Sequence, residues 1–283
     1  MKIAGVQMDV KIGENEANLL TMERHLRRTV AQGAQLTVFP ECALSGYCFN
    51  SLEEARPVAE QIPGPATERL HAICQDLGCF TIFGLLEASG ALVFNSAVLI
   101  GPVGVIGSYR KTHLPYLGVD RFTTLGDRPF SVHQAGPIKV GMNICYDAGF
   151  PESARTLTLL GAELIVLPTN WPPGAEYIAD NVINTRAFEN TVYYIAVNRA
   201  GTERGFEFIG RSRIVDPRGT TLVVAQSKGE EVLFAEIDPL QPRQKHWVNI
   251  PGQHEVDRIA DRRPEMYRPL VEPHSLPRPG GRA

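Results

Sequence analysis

Short runs of β-branched and aromatic residues alternate with amphipathic segments along roughly the first two hundred positions. The runs predict strands over 3–8, 36–40, 80–85, 92–101, 103–109, 140–146, 164–168 and 192–198. Several are nearly continuous apolar stretches, the pattern expected where both faces of a strand are covered. Helical periodicity fills the gaps. Over 14–31 it places Leu19, Leu20, Leu26 and Val30 near one face, with Gly33 as a stop. A second helix is predicted over 66–77, between Pro63-Gly64-Pro65 and Gly78; others are predicted over 151–161 and 177–189. Hairpin-like runs follow at 213–215, 221–225 and 232–237. Strand–helix alternation combined with consecutive strands predicts a mixed-sheet α/β fold.

The chain has 283 residues, enough for about two domains at ~150 residues each. No linker-like shift in composition precedes position 260, so one layered domain over 1–263 is expected. Positions 264–283 hold five prolines and two adjacent glycines and read as an extended C-terminal tail. Lys and Arg number 28 against 31 Asp and Glu, a net charge of −3. That balance offers no electrostatic footprint for nucleic acid or acidic lipid. No apolar run reaches the ~18 residues of a membrane helix, and the first ten residues lack a signal peptide's basic start and apolar core. A cytoplasmic protein is expected. The odd set Cys42, Cys48, Cys74, Cys79 and Cys145 argues against a disulfide framework.

Several chemistries find no support. Gly101, Gly104 and Gly107 lack dinucleotide-loop spacing, and neither a phosphate loop nor a serine elbow is present. His71, Cys74 and Cys79 read as helix-face and strand residues rather than metal ligands. A cysteine–histidine site using His113, His133, His246 or His254 lacks a local signature around its cysteine.

Three segments do carry chemistry. In Leu36-Thr-Val-Phe-Pro40-Glu41, Glu41 stands at the carboxyl end of an apolar strand, where sites form in α/β sheets. Lys111 closes the apolar run 103–109 before a loop. Cys145 follows Val140-Gly-Met-Asn-Ile and precedes a helix beginning at Pro151-Glu152, a position that favours a reactive thiol.

In this order the three segments resemble the nitrilase superfamily of carbon–nitrogen hydrolases, which use a Glu–Lys–Cys triad. The resemblance continues through Leu167-Pro-Thr-Asn170-Trp171-Pro172, Arg186-Ala-Phe-Glu189-Asn190, Asn198-Arg199-Ala-Gly201 and 210–219, spanning about residues 1–240. It implies a four-layer α–β–β–α sandwich and a homodimer or larger homo-oligomer. It also implies Glu41 as general base, Lys111 as charge stabiliser and Cys145 as nucleophile, with no metal or organic cofactor. Asp120 stands where many relatives have a second glutamate, and Gly149 where many amidases have arginine.

The expected reaction opens the C–N bond of a small carboxamide through a Cys145 thioester, giving an acid and ammonia. Lys111 and the Tyr146 backbone N–H would bind the developing oxyanion. Asp120, Tyr146, Asn170, Trp171, Tyr47 and Tyr116 are the expected substrate-binding residues. Cys145-Tyr146-Asp147 is more similar to the amidase and carbamoylase branches than to nitrilases proper. An N-carbamoyl amine or amino acid is the alternative substrate, followed by a nitrile, and a non-catalytic interaction module is the alternative from another class.

Overall fold

In the computed structural model, which describes residues 1–281, the chain begins with β1 (Lys2–Gln7), α1 (Asn15–Ala31), β2 (Leu36–Val38), a short α2 (Leu52–Ala55) and α3 (Pro65–Leu77). Next come β3 (Phe80–Ser89), β4 (Leu92–Gly101), β5 (Gly104–Arg110), β6 (Val132–Ala135) and β7 (Ile138–Met142). They are followed by α4 (Pro151–Leu159), β8 (Leu164–Pro168), α5 (Ile183–Asn190) and β9 (Tyr193–Val197). A ribbon of β10 (Thr202–Glu203) and β11 (Phe206–Glu207) precedes β12 (Arg213–Val215), β13 (Thr221–Val224) and β14 (Glu231–Glu236). A second ribbon, β15 (Trp247–Ile250) with β16 (His254–Val256), follows.

Local signals set the boundaries. Pro65 occupies the first turn of α3, Thr67 caps it by accepting the Gly64 N–H at 2.7 Å, and Gly78 ends it in the left-handed conformation (φ 64°). The strand ending at Met142 is shorter than the expected run to 146. The reason is Asp147, whose carboxylate takes the Ile144 N–H at 2.9 Å and turns the chain out of the ladder. The edge strand β6 was not expected; its sequence Val-His-Gln-Ala carries little apolar signal. The tail is not simply extended. Single helical turns begin at or beside Pro264 and Pro269, where the proline ring presets φ near −65°.

Two six-stranded sheets result, ordered β14-β1-β2-β3-β4-β5 and β13-β12-β9-β8-β7-β6. In each, three parallel strands form the centre (β1, β2, β3 and β7, β8, β9), with antiparallel strands outside them. Period-two alternation then assigns the faces. Ile3, Val38, Ile82 and Leu99 of the first sheet share one core with Val140, Val166, Ile195 and Val197 of the second. Leu19, Met22 and Leu26 of α1 and Leu70 and Ile73 of α3 cover the first sheet's outer face. Ala154 and Leu157 of α4 and Ile183 and Ala187 of α5 cover that of the second. The order of layers is therefore α–β–β–α, in one domain. Among the described residues no helix is long and apolar enough to cross a membrane.

One close approach positions the site. After β2 the chain crosses β3 at Gly84, whose N–H donates to Pro40 O at 3.0 Å. A Cβ on Gly84 would lie 2.4 Å from Cys42 N and 2.6 Å from Glu41 Cα, backbone atoms that cannot swing away. Gly84→Ala is therefore expected to destabilise by about 1–3 kcal/mol and to lower the melting temperature by roughly 2–4 °C per kcal/mol. Thermal unfolding checks this, and an unchanged melting temperature would contradict the packing described.

Candidate active site

Four side chains from four chain segments meet in a buried cluster. Glu41 follows β2, Asn95 points from β4 into the space between the sheets, Lys111 follows β5, and Asp120 lies in the loop beyond; all are 1% exposed or less. The Lys111 ammonium donates to Glu41 Oε1 at 2.7 Å and to Asp120 Oδ2 at 2.6 Å. Asn95 spends both N–H groups of its amide on the same two carboxylates, at 2.7 Å to Glu41 Oε1 and 2.9 Å to Asp120 Oδ1. Its carbonyl accepts the Cys42 thiol at 3.7 Å. Tyr47 completes the cluster by donating to Asp120 Oδ2 at 2.8 Å.

Burial pushes the Glu41 carboxyl above the usual glutamate range, against the pull of Lys111. Burial alone would lower the Lys111 ammonium, yet the Asp120 and Glu41 carboxylates outweigh it and hold the pKa well above that of an ordinary lysine.

Cys145 opens the helical turn Cys145–Gly149 with a positive φ of 44°, rare for a residue with a side chain. Asp147 shapes that turn: its carboxylate accepts the Ile144 N–H, the Tyr109 hydroxyl at 2.8 Å and the His113 N–H at 3.1 Å. Burial, reinforced by Glu41, pushes the Cys145 thiol up to about 12, while Lys111, the Thr169 hydroxyl and the Asn170 N–H pull the other way. At neutral pH the resting sulfur is therefore protonated.

Cys145 opens onto a cavity of about 340 Å³ lined by Leu117, Tyr146, Gly149, Trp171, Pro172 and Ile178 among others. Trp171 is held in this wall through its backbone, whose N–H donates to Asn198 Oδ1 at 2.8 Å. Asn170 lies beneath, donating from Nδ2 to the Glu41 carbonyl at 3.0 Å. A second cavity of about 430 Å³ shares Tyr146 and is lined by Thr112, His113, Phe150, and His274 and Pro279 of the tail.

The structure thus brings Glu41, Lys111, Asp120 and Cys145 together, with Tyr146 and Trp171 lining the adjoining cavity. Tyr47 is a buried strut beneath Asp120 rather than a pocket wall. Tyr116 stands apart from the Cys145 cavity, 55% exposed, with its ring close against Gly280. The histidines weighed as partners of a cysteine are engaged elsewhere: His113 Nδ1 meets Asp147 at 2.7 Å, His133 meets Ser131 at 2.9 Å, His246 meets Glu255 at 2.8 Å, and His254 meets Asn249 at 3.4 Å. Among the described residues no group of three or more His, Cys, Asp or Glu could hold a metal ion. Sequence reading missed Asn95, Asp147 and Thr169. The signal for Asn95 was its inward-facing place in the apolar strand 92–101, where a polar residue needs a reason.

The carbon-nitrogen hydrolase family model matches residues 2–244. A nitrilase from Pyrococcus abyssi is 41% identical over 94% of this chain and 99% of its own length. An N-carbamoylputrescine amidase from Solanum lycopersicum is 32% identical over 90% of this chain and 89% of its own. The crystal structure of an amidase from Nesterenkonia sp. superposes with a TM-score of 0.79 at 25% identity, covering 96% of both chains. A variant of that amidase carries the acetamide moiety of fluoroacetamide covalently at its active-site cysteine. With a site cysteine, a buried carboxylate–lysine cluster and matches along nearly its whole length, the chain belongs to the carbon–nitrogen hydrolases of the nitrilase superfamily as an amidase-type hydrolase.

Proposed function

We propose that the protein hydrolyses the C–N bond of a small carboxamide through a thioester on Cys145, with Glu41 as base and Lys111 as charge stabiliser. One observation carries the roles. Glu41 Oε1 is saturated by Lys111 and Asn95, whereas the buried Oε2 has no hydrogen-bond partner among the described residues. A buried carboxylate oxygen left open beside a protonated thiol is what a general base requires.

Glu41 accepts the Cys145 proton as the sulfur attacks the amide carbonyl. The ammonium of Lys111 has three N–H donors, of which Glu41 and Asp120 take two. The third, with a backbone N–H from the turn after Cys145, would bind the oxyanion; one such donor is worth about 3–4 kcal/mol in the transition state. Glu41 returns the proton to the departing nitrogen, releasing ammonia. It then takes a proton from water as the water attacks the thioester, freeing the carboxylic acid and restoring the thiol. The acetamide adduct on the cysteine of the related amidase supports a nucleophilic sulfur at this place. The N-carbamoylputrescine amidase relative favours a second reading, in which an N-carbamoyl amine undergoes the same steps at its carbonyl carbon.

Three outcomes test the proposal. Cys145→Ala should cut ammonia release from a good amide substrate by roughly 10⁶-fold while retaining the wild-type melting temperature; turnover near wild type would end the reading. The base must be ionised, and burial raises its pKa. Activity should therefore fall on acidification through a limb of kcat/KM lying above the ordinary glutamate value. Asn95→Leu removes a donor that favours the ionised Glu41, so the limb should move to still higher pH. A uniform loss of rate with an unmoved limb would assign Asn95 a merely structural role.

A further inference from the structure

The cavity over Cys145 differs from the site beneath it. The catalytic charges of Glu41, Lys111 and Asp120 lie buried behind the sulfur. The surface facing outward is apolar: Leu117, Trp171, Pro172, Ala175 and Ile178 line it together with glycine and tyrosine. No Lys, Arg, His, Asp or Glu is among the described residues lining it. Cys145 is part of the wall, so whatever is attached to the attacked carbonyl extends into this space.

Gly149 keeps the space open. It lies on the cavity wall at the end of the turn that begins with Cys145. A Cβ built on Gly149 meets no atom within 4 Å, and its φ is outside the left-handed region. Neither backbone conformation nor neighbouring packing therefore demands glycine here. A side chain at this position would project into the empty volume without displacing the protein.

We propose that this cavity is an acyl pocket for neutral, apolar acyl groups of several carbons, with Gly149 as a specificity-determining residue that admits the longer chains. The inference rests on the thioester reading above. It separates the two substrate classes left there: an amide with a hydrocarbon acyl group gains apolar contact along its length, whereas a chain ending in an ammonium or carboxylate must leave that charge against an apolar wall.

Steady-state ammonia release by the full-length protein with propionamide, pentanamide, 4-aminobutanamide and glutaramate (5-amino-5-oxopentanoate) tests it. Pentanamide should exceed propionamide in kcat/KM by roughly fourfold per added methylene. It should also exceed 4-aminobutanamide, which replaces its terminal methyl by an ammonium, and glutaramate by about tenfold or more. The ratio of pentanamide to propionamide should collapse in Gly149→Val and fall by a smaller factor in Gly149→Ala. Equal or better turnover of the charged amides, or a ratio unchanged in both variants, would overturn the acyl-pocket inference and leave the thioester reading intact. No ammonia from any of the four amides with the wild-type protein would overturn the acyl-pocket inference. If Cys145→Ala also matches the wild type on a carbamoyl substrate, the thioester reading falls as well.

Discussion

The structure depends on one costly arrangement: an ammonium and two carboxylates buried together between the sheets. Desolvating each ion costs several kcal/mol even after relaxation, and their attraction offsets this only when the remaining lone pairs and protons are also satisfied. Here Asn95 bridges the two carboxylates alongside the lysine, and Tyr47 caps Asp120. Each support has its own anchor. The backbone N–H groups of Tyr47 and Cys48 are held by Glu203 at 2.8 and 2.6 Å, and Glu203 is held by the buried Arg199 at 2.6 Å. The loop carrying Asp120 is tied to the strands on either side of the site. Thr124 N–H donates to Val93 O at 2.8 Å, and Gly126 N–H to Lys111 O at 2.9 Å. Removing a partner would strand a buried charge, so the cluster constrains the chain from residue 41 to residue 203.

The two halves of the fold solve one geometric problem in the same way. Both sheets place three parallel strands centrally and flank them with antiparallel ones. In each half a polar working residue comes directly after a central strand, on a turn that contains a cysteine with positive φ. In the first half Glu41 precedes Cys42 (φ 48°), and in the second Cys145 itself is strained (φ 44°). Such conformations cost about 1–3 kcal/mol each and persist only where the surroundings enforce them. Gly84 enforces the first by close approach and Asp147 the second by capturing the Ile144 N–H. These turns bring Glu41 and Cys145 into the buried seam between the sheets.

This geometry explains how much of the site was legible in the chain. Glu41, Lys111 and Cys145 stand out as candidates because each ends an apolar run at a strand's end, where α/β sheets expose chemistry, but only the family resemblance groups them as a triad. The mixed-sheet α/β class was legible too, because apolar runs long enough to be covered on both faces alternate with amphipathic helices, whereas the α–β–β–α order of the layers came only with the family resemblance. Asn95 was harder to see, since it lies within a strand and its role depends on which of two faces points inward. Tyr47 and Tyr116 look equivalent in the sequence as aromatic residues beside the motifs. Tertiary packing separates them, placing one beneath Asp120 and the other against the tail. The expected strand runs past the end of β7 because Ile144 and Tyr146 have strand propensity, and the contact with Asp147 overrides it.

Burial also sets the order of events in the site. Desolvation raises both the Glu41 carboxyl and the Cys145 thiol, the thiol to about 12, so at neutral pH the proton stays on sulfur, while the neighbouring Lys111 ammonium opposes the rise at Glu41 and favours its charged form. A free thiolate would place a second anion close to Glu41 in a low-dielectric seam, which the repulsion between them disfavours. Proton transfer to Glu41 keeps the pair's total charge constant. In the proposed thioester route the charge would move from carboxylate to sulfur to substrate oxygen, while one ammonium remains within reach of the array. On that proposal Lys111 would be more than an oxyanion donor: its positive charge, fixed by Glu41 and Asp120, would let one proton shuttle through the buried seam without a second uncompensated ion forming there.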